Sequence, residues 1–276
     1  MKKLTRLALV FAALAVACVN INMIAVEIGR RWVPAYDRSD VAPILRRKAL
    51  SPADYHELFI QTGMGKPLID SLSPDELERF ALSSQDAFFG GADVICEQVG
   101  IITREERLAD GGAGRPMAPL LPGDVLVTFS THSAGWRHGH SGIITEPNRL
   151  LEAYMVGRPA GYSYASDWLR YSTLIVLRPK DGVSGRAAAY HAQDLEGVNY
   201  ALLTGIWPIK SPEGGVTGTQ CAHLIWYPYY LAGVDADPGG DWLIEPRDLV
   251  TGGAFDVVCA YGVDPEWLLD VTGADY

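Results

Sequence analysis

The spacing of hydrophobic positions changes character twice along this chain. An apolar run opens it from Leu7 to Ala17 and resumes past Cys18 as far as Val26. Residues 27 to about 118 then read as helical and connecting structure. Ser51-Pro52-Ala53-Asp54 is a helix start, with serine at the N-cap and proline in the first turn. Tyr55, Leu58 and Phe59 follow at helical spacing, and Gly63 and Gly65 break the helix. Ser73-Pro74-Asp75-Glu76 is a second start, with Glu76 completing a capping box. The stretch from Ala109 to Pro116, rich in glycine, reads as a loop and a boundary.

After Pro122 the period shortens to that of strands. Val125–Phe129, Ser141–Thr145, Leu150–Tyr154 and Leu174–Leu177 are β-rich runs, and Glu146-Pro147-Asn148-Arg149 is a turn between the second and third. Arg186–Leu203 has helical character, Gly205–Gly218 reads as a loop, and Cys221–Leu231 reads as a buried helix despite Pro228. Val257 and Val258 suggest a last strand. Strands and helices that are partly segregated imply an α+β domain rather than a doubly wound sheet. The expected organisation is a signal peptide or anchor over 1–26, a helical extension over 27–118 and a main domain over 119–276.

Composition narrows the class. The chain has 276 residues, 48% of them hydrophobic, and a net charge of −10. That balance argues against a nucleic-acid partner, which requires a basic face. Lys2, Lys3 and Arg6 ahead of the apolar run, with Ala15-Val16-Ala17 at its end, give a signal-peptide layout. Cys18 directly follows and resembles a lipid-modified cysteine. Leu7–Val26 also has the length of a membrane span. Cleavage, lipidation and retention all remain open, and each implies export to the periplasm or cell envelope. Four cysteines are present, three of them beyond Cys18. Cys96 and Cys259 are expected to pair or to lie buried in apolar surroundings, leaving Cys221 free.

Two motifs carry the chemistry. Gly123-Asp124-Val125 leads to His138-Gly139-His140-Ser141-Gly142, and Gln220-Cys221-Ala222-His223 lies about 80 residues on. A cysteine at a helix start feels the positive end of the helix dipole, and unpaired N–H groups there can hold an oxyanion. His140 can act as the base, and Glu152 in the next strand can orient it across a short hairpin. His132, His138 and His140 form an H-x5-H-x-H cluster, but no standard zinc spacing is met, so no metal and no cofactor are expected. The alternative for each residue is structural: a buried helix cysteine, a satisfied core histidine, a strand-face glutamate.

With these residues the chain resembles the permuted papain-like (permuted NlpC/P60) cysteine peptidases and amidases of the YiiX/YaeF type. In that family the histidine-bearing strand precedes the cysteine-bearing helix. The resemblance covers roughly Pro119 to Gly262 and includes a Pro-x-Asp-Leu segment at Pro246-Arg247-Asp248-Leu249. It implies a circularly permuted papain-like fold with an antiparallel sheet packed on the Cys221 helix. It also implies a catalytic set of Cys221, His140 and Glu152, with Tyr200 at the oxyanion hole. The family's usual Tyr-Asp reads Tyr200-Ala201 here, and its Cys-Ser-Glu-Leu reads Cys221-Ala222-His223-Leu224. The expected activity is cleavage of envelope peptides or small acyl amides. Two alternatives are a thiol acyltransferase like the lecithin:retinol acyltransferases, and a non-catalytic envelope binding protein of the same fold.

Overall fold

Local capping chemistry sets the first helices. The computed structural model describes residues 2–28, 31–133, 135–201, 215–239 and 243–274, with the backbone alone at 2, 4 and 18–28. Helix α1 spans Lys2–Ile28, α2 Ala42–Leu45, α3 Pro52–Thr62, α4 Lys66–Ile69 and α5 Pro74–Phe89. Ser51 accepts from the Asp54 N–H, and the Asp54 carboxylate accepts from the Ser51 N–H at 2.8 Å. Ser73 and Glu76 form the same box at the start of α5. Gly63, at φ 70°, ends α3 in a left-handed conformation that glycine adopts without strain. Among the described residues no helix is long and apolar enough to cross a membrane. The side chain of Cys18 lies outside the described residues.

A hairpin follows, β1 (Val94–Gln98) and β2 (Thr103–Leu108), then β3 (Val125–Thr128), β4 (Thr131–Ser133), β5 (His140–Glu146), β6 (Arg149–Glu152), β7 (Gly161–Tyr164) and β8 (Leu174–Pro179). The chain continues through α6 (Gly182–Ala192), α7 (Cys221–Leu231), α8 (Pro246–Thr251), β9 (Phe255–Tyr261) and α9 (Pro265–Thr272). Six strands form an antiparallel sheet in the order β7-β6-β5-β3-β8-β9, and a second sheet has the order β1-β2-β4. The protein is therefore α+β with antiparallel sheets, as the strand and helix pattern implied.

The alternation of strand side chains explains the layering. Val125, Val127, Ile143, Leu151 and Ile175 face one side, where they share a core with Ala222, Ile225, Trp226 and Tyr229 of α7. Leu126, Ile144, Leu150, Leu174 and Val176 face the other, where they pack with Leu58, Met64 and Leu68. The N-terminal helices thus dock on the sheet face opposite α7. They also reach its edge: Gly65 donates to the Val258 carbonyl at 2.9 Å, and Ala260 donates to the Gly63 carbonyl at 2.8 Å.

Two expectations need correction. The β1–β2 hairpin lies in a stretch expected to be helical or connecting. Its second strand, Thr-Arg-Glu-Glu-Arg-Leu, is too polar to show an apolar alternation. It is accommodated because the buried Glu105 and Glu106 carboxylates pair with Arg107 and Arg137, at closest approaches of 2.5 Å each. Second, the helix expected over Arg186–Leu203 begins at Gly182, where Asp181 caps it, and ends at Ala192. Asn199 and Tyr200 instead form bridges to Pro159 and Thr219. The end of that expected helix at 202–203, and the expected loop as far as 214, lie outside the described residues. Of the two readings open for Cys96 and Cys259, the unpaired one holds, since both are free. Cys259 is buried in β9, which pushes its thiol up to about 12, whereas Cys96 is half-buried against His132, Sγ to Nε2 3.8 Å.

Candidate active site

Cys221 is the first residue of α7 because the chain turns sharply at Gln220. Gln220 is extended, and its side-chain oxygen accepts from the Ala222 N–H at 2.7 Å, capping the helix. Its amide nitrogen donates to the Ile244 carbonyl at 2.7 Å, tying the cap to the segment that leads into α8. The Cys221 thiol lies 3.4 Å from the same Gln220 oxygen. The helix is anchored further along by Tyr229, whose hydroxyl donates to the Gly123 carbonyl at 2.5 Å. The Gly-Asp motif is therefore architectural. Asp124 accepts from Arg178 at 2.9 and 2.7 Å, which locks the start of β3 to β8.

His140 opens β5. Gly139 before it sits at φ 73°, and a Cβ there would come within 2.6 Å of the Thr128 carbonyl oxygen, so this position requires glycine. Gly142 stands directly opposite Glu152 across the β5–β6 pair. Directly opposed residues share a face, as do residues two apart on one strand. Glu152 and His140 are consequently diagonal neighbours, separated only by a residue with no side chain. A Cβ at Gly142 would meet Leu150 Cδ1 at 2.3 Å and the Trp168 ring at 3.3 Å.

Through that gap the Glu152 carboxylate reaches His140, Oε2 to Nε2 2.7 Å. The Cys221 thiol lies near enough to act on the ring's proton affinity, and both residues line one cavity; with Nε2 engaged by Glu152, Nδ1 is the nitrogen left for sulfur. Burial alone would lower the His140 pKa. The hydrogen bonds to Cys221 and Glu152, and the charges of both, outweigh it and raise the value to about 10. Burial alone would lift the Glu152 carboxyl, but the bond to and charge of His140, with Arg170 beyond, bring it below its ordinary value. Thiol, imidazole and carboxylate thus stand in the order that thiol acyl chemistry uses.

Tyr200 lies close by. It lines the same cavity as Cys221, and burial, then the charge of Cys221, raises its phenol. The backbone bridge of Tyr200 to Thr219 sets it beside the residue just before the Gln220 cap. The four residues picked out in the sequence are therefore brought together. The other two clustered histidines diverge. His138 is held by the Ser133 hydroxyl at 3.0 Å and the Gly139 carbonyl at 2.7 Å, and His132 turns toward Cys96 and Glu106.

Three contributors escaped the sequence reading. Gln220 caps the helix and touches the sulfur; its position one residue before an expected helix is a signal that could have found it. Trp168 stacks on His140 and Tyr154 meets the same ring edge-on. Neither carries a local motif, since both reach the site through tertiary packing. Over the thiol lies a cavity of about 740 Å³ whose walls include Tyr154, Tyr200, Gln220 and Pro246. No family model, no curated protein and no solved structure matches the chain.

Proposed function

We propose that the protein is an exported cysteine hydrolase with a circularly permuted papain-like fold, cleaving amide bonds through Cys221, His140 and Glu152. The observation that carries this reading is the Glu152 carboxylate bonded to an imidazole whose proton affinity Cys221 helps to set, beneath a cavity that His140 and Cys221 both line. In the proposed cycle Sγ attacks the amide carbonyl carbon, an S–C bond forms and the carbonyl electron pair moves onto oxygen. The N–H of Cys221, at a helix end where such groups lack intrahelical partners, holds that oxygen, with Tyr200 beside it. The Ala222 N–H, engaged by Gln220, is not free for this role. His140, carrying the thiol's proton, gives it to the departing nitrogen as the C–N bond breaks. A water molecule then yields a proton to His140 and attacks the thioester. The C–S bond breaks, the acid leaves and the thiol is restored.

The permuted family assignment is supported by the order of the elements: the histidine strand precedes the cysteine helix, and the antiparallel sheet packs on that helix. Envelope attachment rests on the N-terminal sequence pattern alone. A carboxylate in the third position, where the lecithin:retinol acyltransferase relatives commonly carry histidine, favours water over an alcohol as acyl acceptor. The deciding experiment is labelling with an electrophilic thiol probe at neutral pH, followed by mass mapping, in wild type, Cys221→Ala and His140→Gln. Labelling at Cys221 that slows at least tenfold in His140→Gln is the expected result. Equal labelling in both, or no labelling at Cys221, overturns the enzyme reading in favour of a binding protein.

A further inference from the structure

The glycine-rich segment after β2, which the sequence marks only as a loop, forms one wall of a second cavity, of about 180 Å³. This cavity shares no residue with the one over Cys221. Its other wall is the end of α5 and the residues that follow. Two arginines line it, Arg31 and Arg115, and both are more than nine-tenths buried, 8% and 6% exposed. Arg115 donates to the carbonyls of Leu169, Tyr171 and Ser172 at 3.2, 2.6 and 3.2 Å, gripping the segment just after Trp168. Arg31 donates to the Ala87 carbonyl at 2.6 Å, and its Nε is buried without a partner. Among the described residues neither guanidinium forms an ion pair. The two carboxylates on the cavity wall are exposed and engaged elsewhere: Asp86 pairs with Arg38 at 2.6 Å, and Asp110 accepts from the Gly112 N–H at 2.9 Å. Burial lowers the pKa of Arg31, with the charge of Asp110 opposing it. Burial, then the charge of Arg31, brings Arg115 down to about 9. Two buried cations therefore face one small space with too little negative charge around them.

We propose that this cavity is a binding site for a phosphate-type oxyanion, held between Arg31 and Arg115. The site is independent of the thiol chemistry. Carbonyl oxygens orient a guanidinium but carry no net charge, so they leave both cations without the counter-charge that a buried ion requires. A bound anion supplies it. The planar fork of a guanidinium matches the paired oxygens of phosphate, and two forks match its double charge. The space of about 180 Å³ lies below the roughly 300–1,000 Å³ of pockets for larger organic ligands, which suits a compact tetrahedral group. Gly111, Gly112 and Gly114 sit at φ 70°, 81° and 81°, so the loop turns tightly and its backbone can come close to such a ligand. Because Arg115 also holds the turn after Trp168, a bound anion braces the segment from which Trp168 stacks on His140.

Titration calorimetry and thermal unfolding of the full chain with sodium phosphate test this, with sodium chloride at equal ionic strength as the control. Saturable binding of phosphate and not of chloride is expected, with Tm raised by about 5 °C at roughly hundredfold excess over Kd. Arg31→Gln should weaken phosphate binding by about tenfold or more, since it removes one charged fork. A rise in Tm that never saturates, or that is unchanged in Arg31→Gln, is the general stabilising action of excluded salts and overturns the proposal. If Arg31→Gln does not fold, Gly91→Asp decides, because it leaves both arginines in place. Gly91 is on the cavity wall, an added Cβ there meets nothing within 4 Å, and the new carboxylate brings the missing charge. That variant should be more stable than wild type in chloride and lose most of its response to phosphate; a full response overturns the proposal. Glycerol phosphate is the third titrant. Binding at least as tight as that of inorganic phosphate identifies a phosphate carried on a larger molecule such as a lipid headgroup. Binding of inorganic phosphate alone identifies the free ion, and binding of neither overturns the site.

Discussion

The indole of Trp168 lies nearly parallel to the His140 imidazole, ring centroids 5.2 Å apart and planes inclined by 21°. An aromatic face over a ring that carries a proton is favourable, and the indole also keeps water from one side of it. Trp168 is itself almost fully buried. Trp168→Ala should therefore destabilise the fold by about 3–5 kcal/mol, the usual cost of removing a large buried aromatic. Trp168→Phe should lose less and keep a stacking partner. Urea unfolding midpoints of the two variants against wild type check the order.

Glu152→Gln keeps the shape but removes the charge that helps hold a proton on His140. The His140 pKa should fall from about 10, seen as a lower titration midpoint of its ring protons by NMR. Amide hydrolysis should drop by about 10²–10⁴, the scale on which oriented acid–base catalysis operates. An unchanged midpoint would show that Glu152 does not set the proton affinity of the ring.

The pair also dictates a pH dependence of stability. His140 is raised in the folded state, so its contribution is complete below its unfolded value of about 6.5 and is lost as pH rises toward about 10. Glu152 is lowered, so its contribution is complete above its unfolded value and is lost as pH falls through the acid range. The stability difference between wild type and His140→Gln should thus shrink steadily from neutral pH to pH 10. Urea midpoints across that interval give the slope, and a difference independent of pH would rule the linkage out.

Gln220→Ala removes the cap of α7 and the tie to the Ile244 carbonyl together. A lost N-cap costs about 0.5–2 kcal/mol, and the orphaned buried carbonyl adds to it. Thiol alkylation at Cys221 should also slow, because both the start of α7 and the sulfur's neighbour have changed. Gln220→Asn, a shorter side chain that can still cap, should recover part of the stability in thermal unfolding.

Gly142→Val fills the gap through which Glu152 reaches His140. The new side chain meets Leu150 and Trp168 in a packed interior, where overpacking costs about 1–3 kcal/mol. The variant should resemble Glu152→Gln in its His140 titration midpoint, while Gly142→Ala should fall between it and wild type.

Much of this arrangement was legible in the sequence, and the reasons are local. Ser51 with Asp54, and Ser73 with Glu76, announce their helices because capping is short-range chemistry. Cys221–Leu231 stands out as a helix by its apolar content, and the Glu146–Arg149 turn places Glu152 one strand from His140. What was not legible depends on distant partners. The β1–β2 hairpin is hidden by its own charges, which find arginines only after folding. Trp168 arrives from a separate turn, and the cavity wall is assembled from segments more than 50 residues apart. The helix start at Gly182 is marked by Asp181, an N-cap as good as serine, but the alanine run further on draws the expected start to Arg186.

Edge strand β9 exchanges backbone hydrogen bonds with residues 63–65, and the face it shares with β8 is covered by Leu58, Met64 and Leu68. The N-terminal helices therefore act as a guard against self-association. A chain cut back to residue 119 would retain Cys221, His140 and Glu152 yet present an unpaired ladder beside an open apolar sheet, which is the template on which strands of neighbouring molecules add. Such a fragment should sediment as oligomers, and adding the 31–118 segment in trans should return it to monomer.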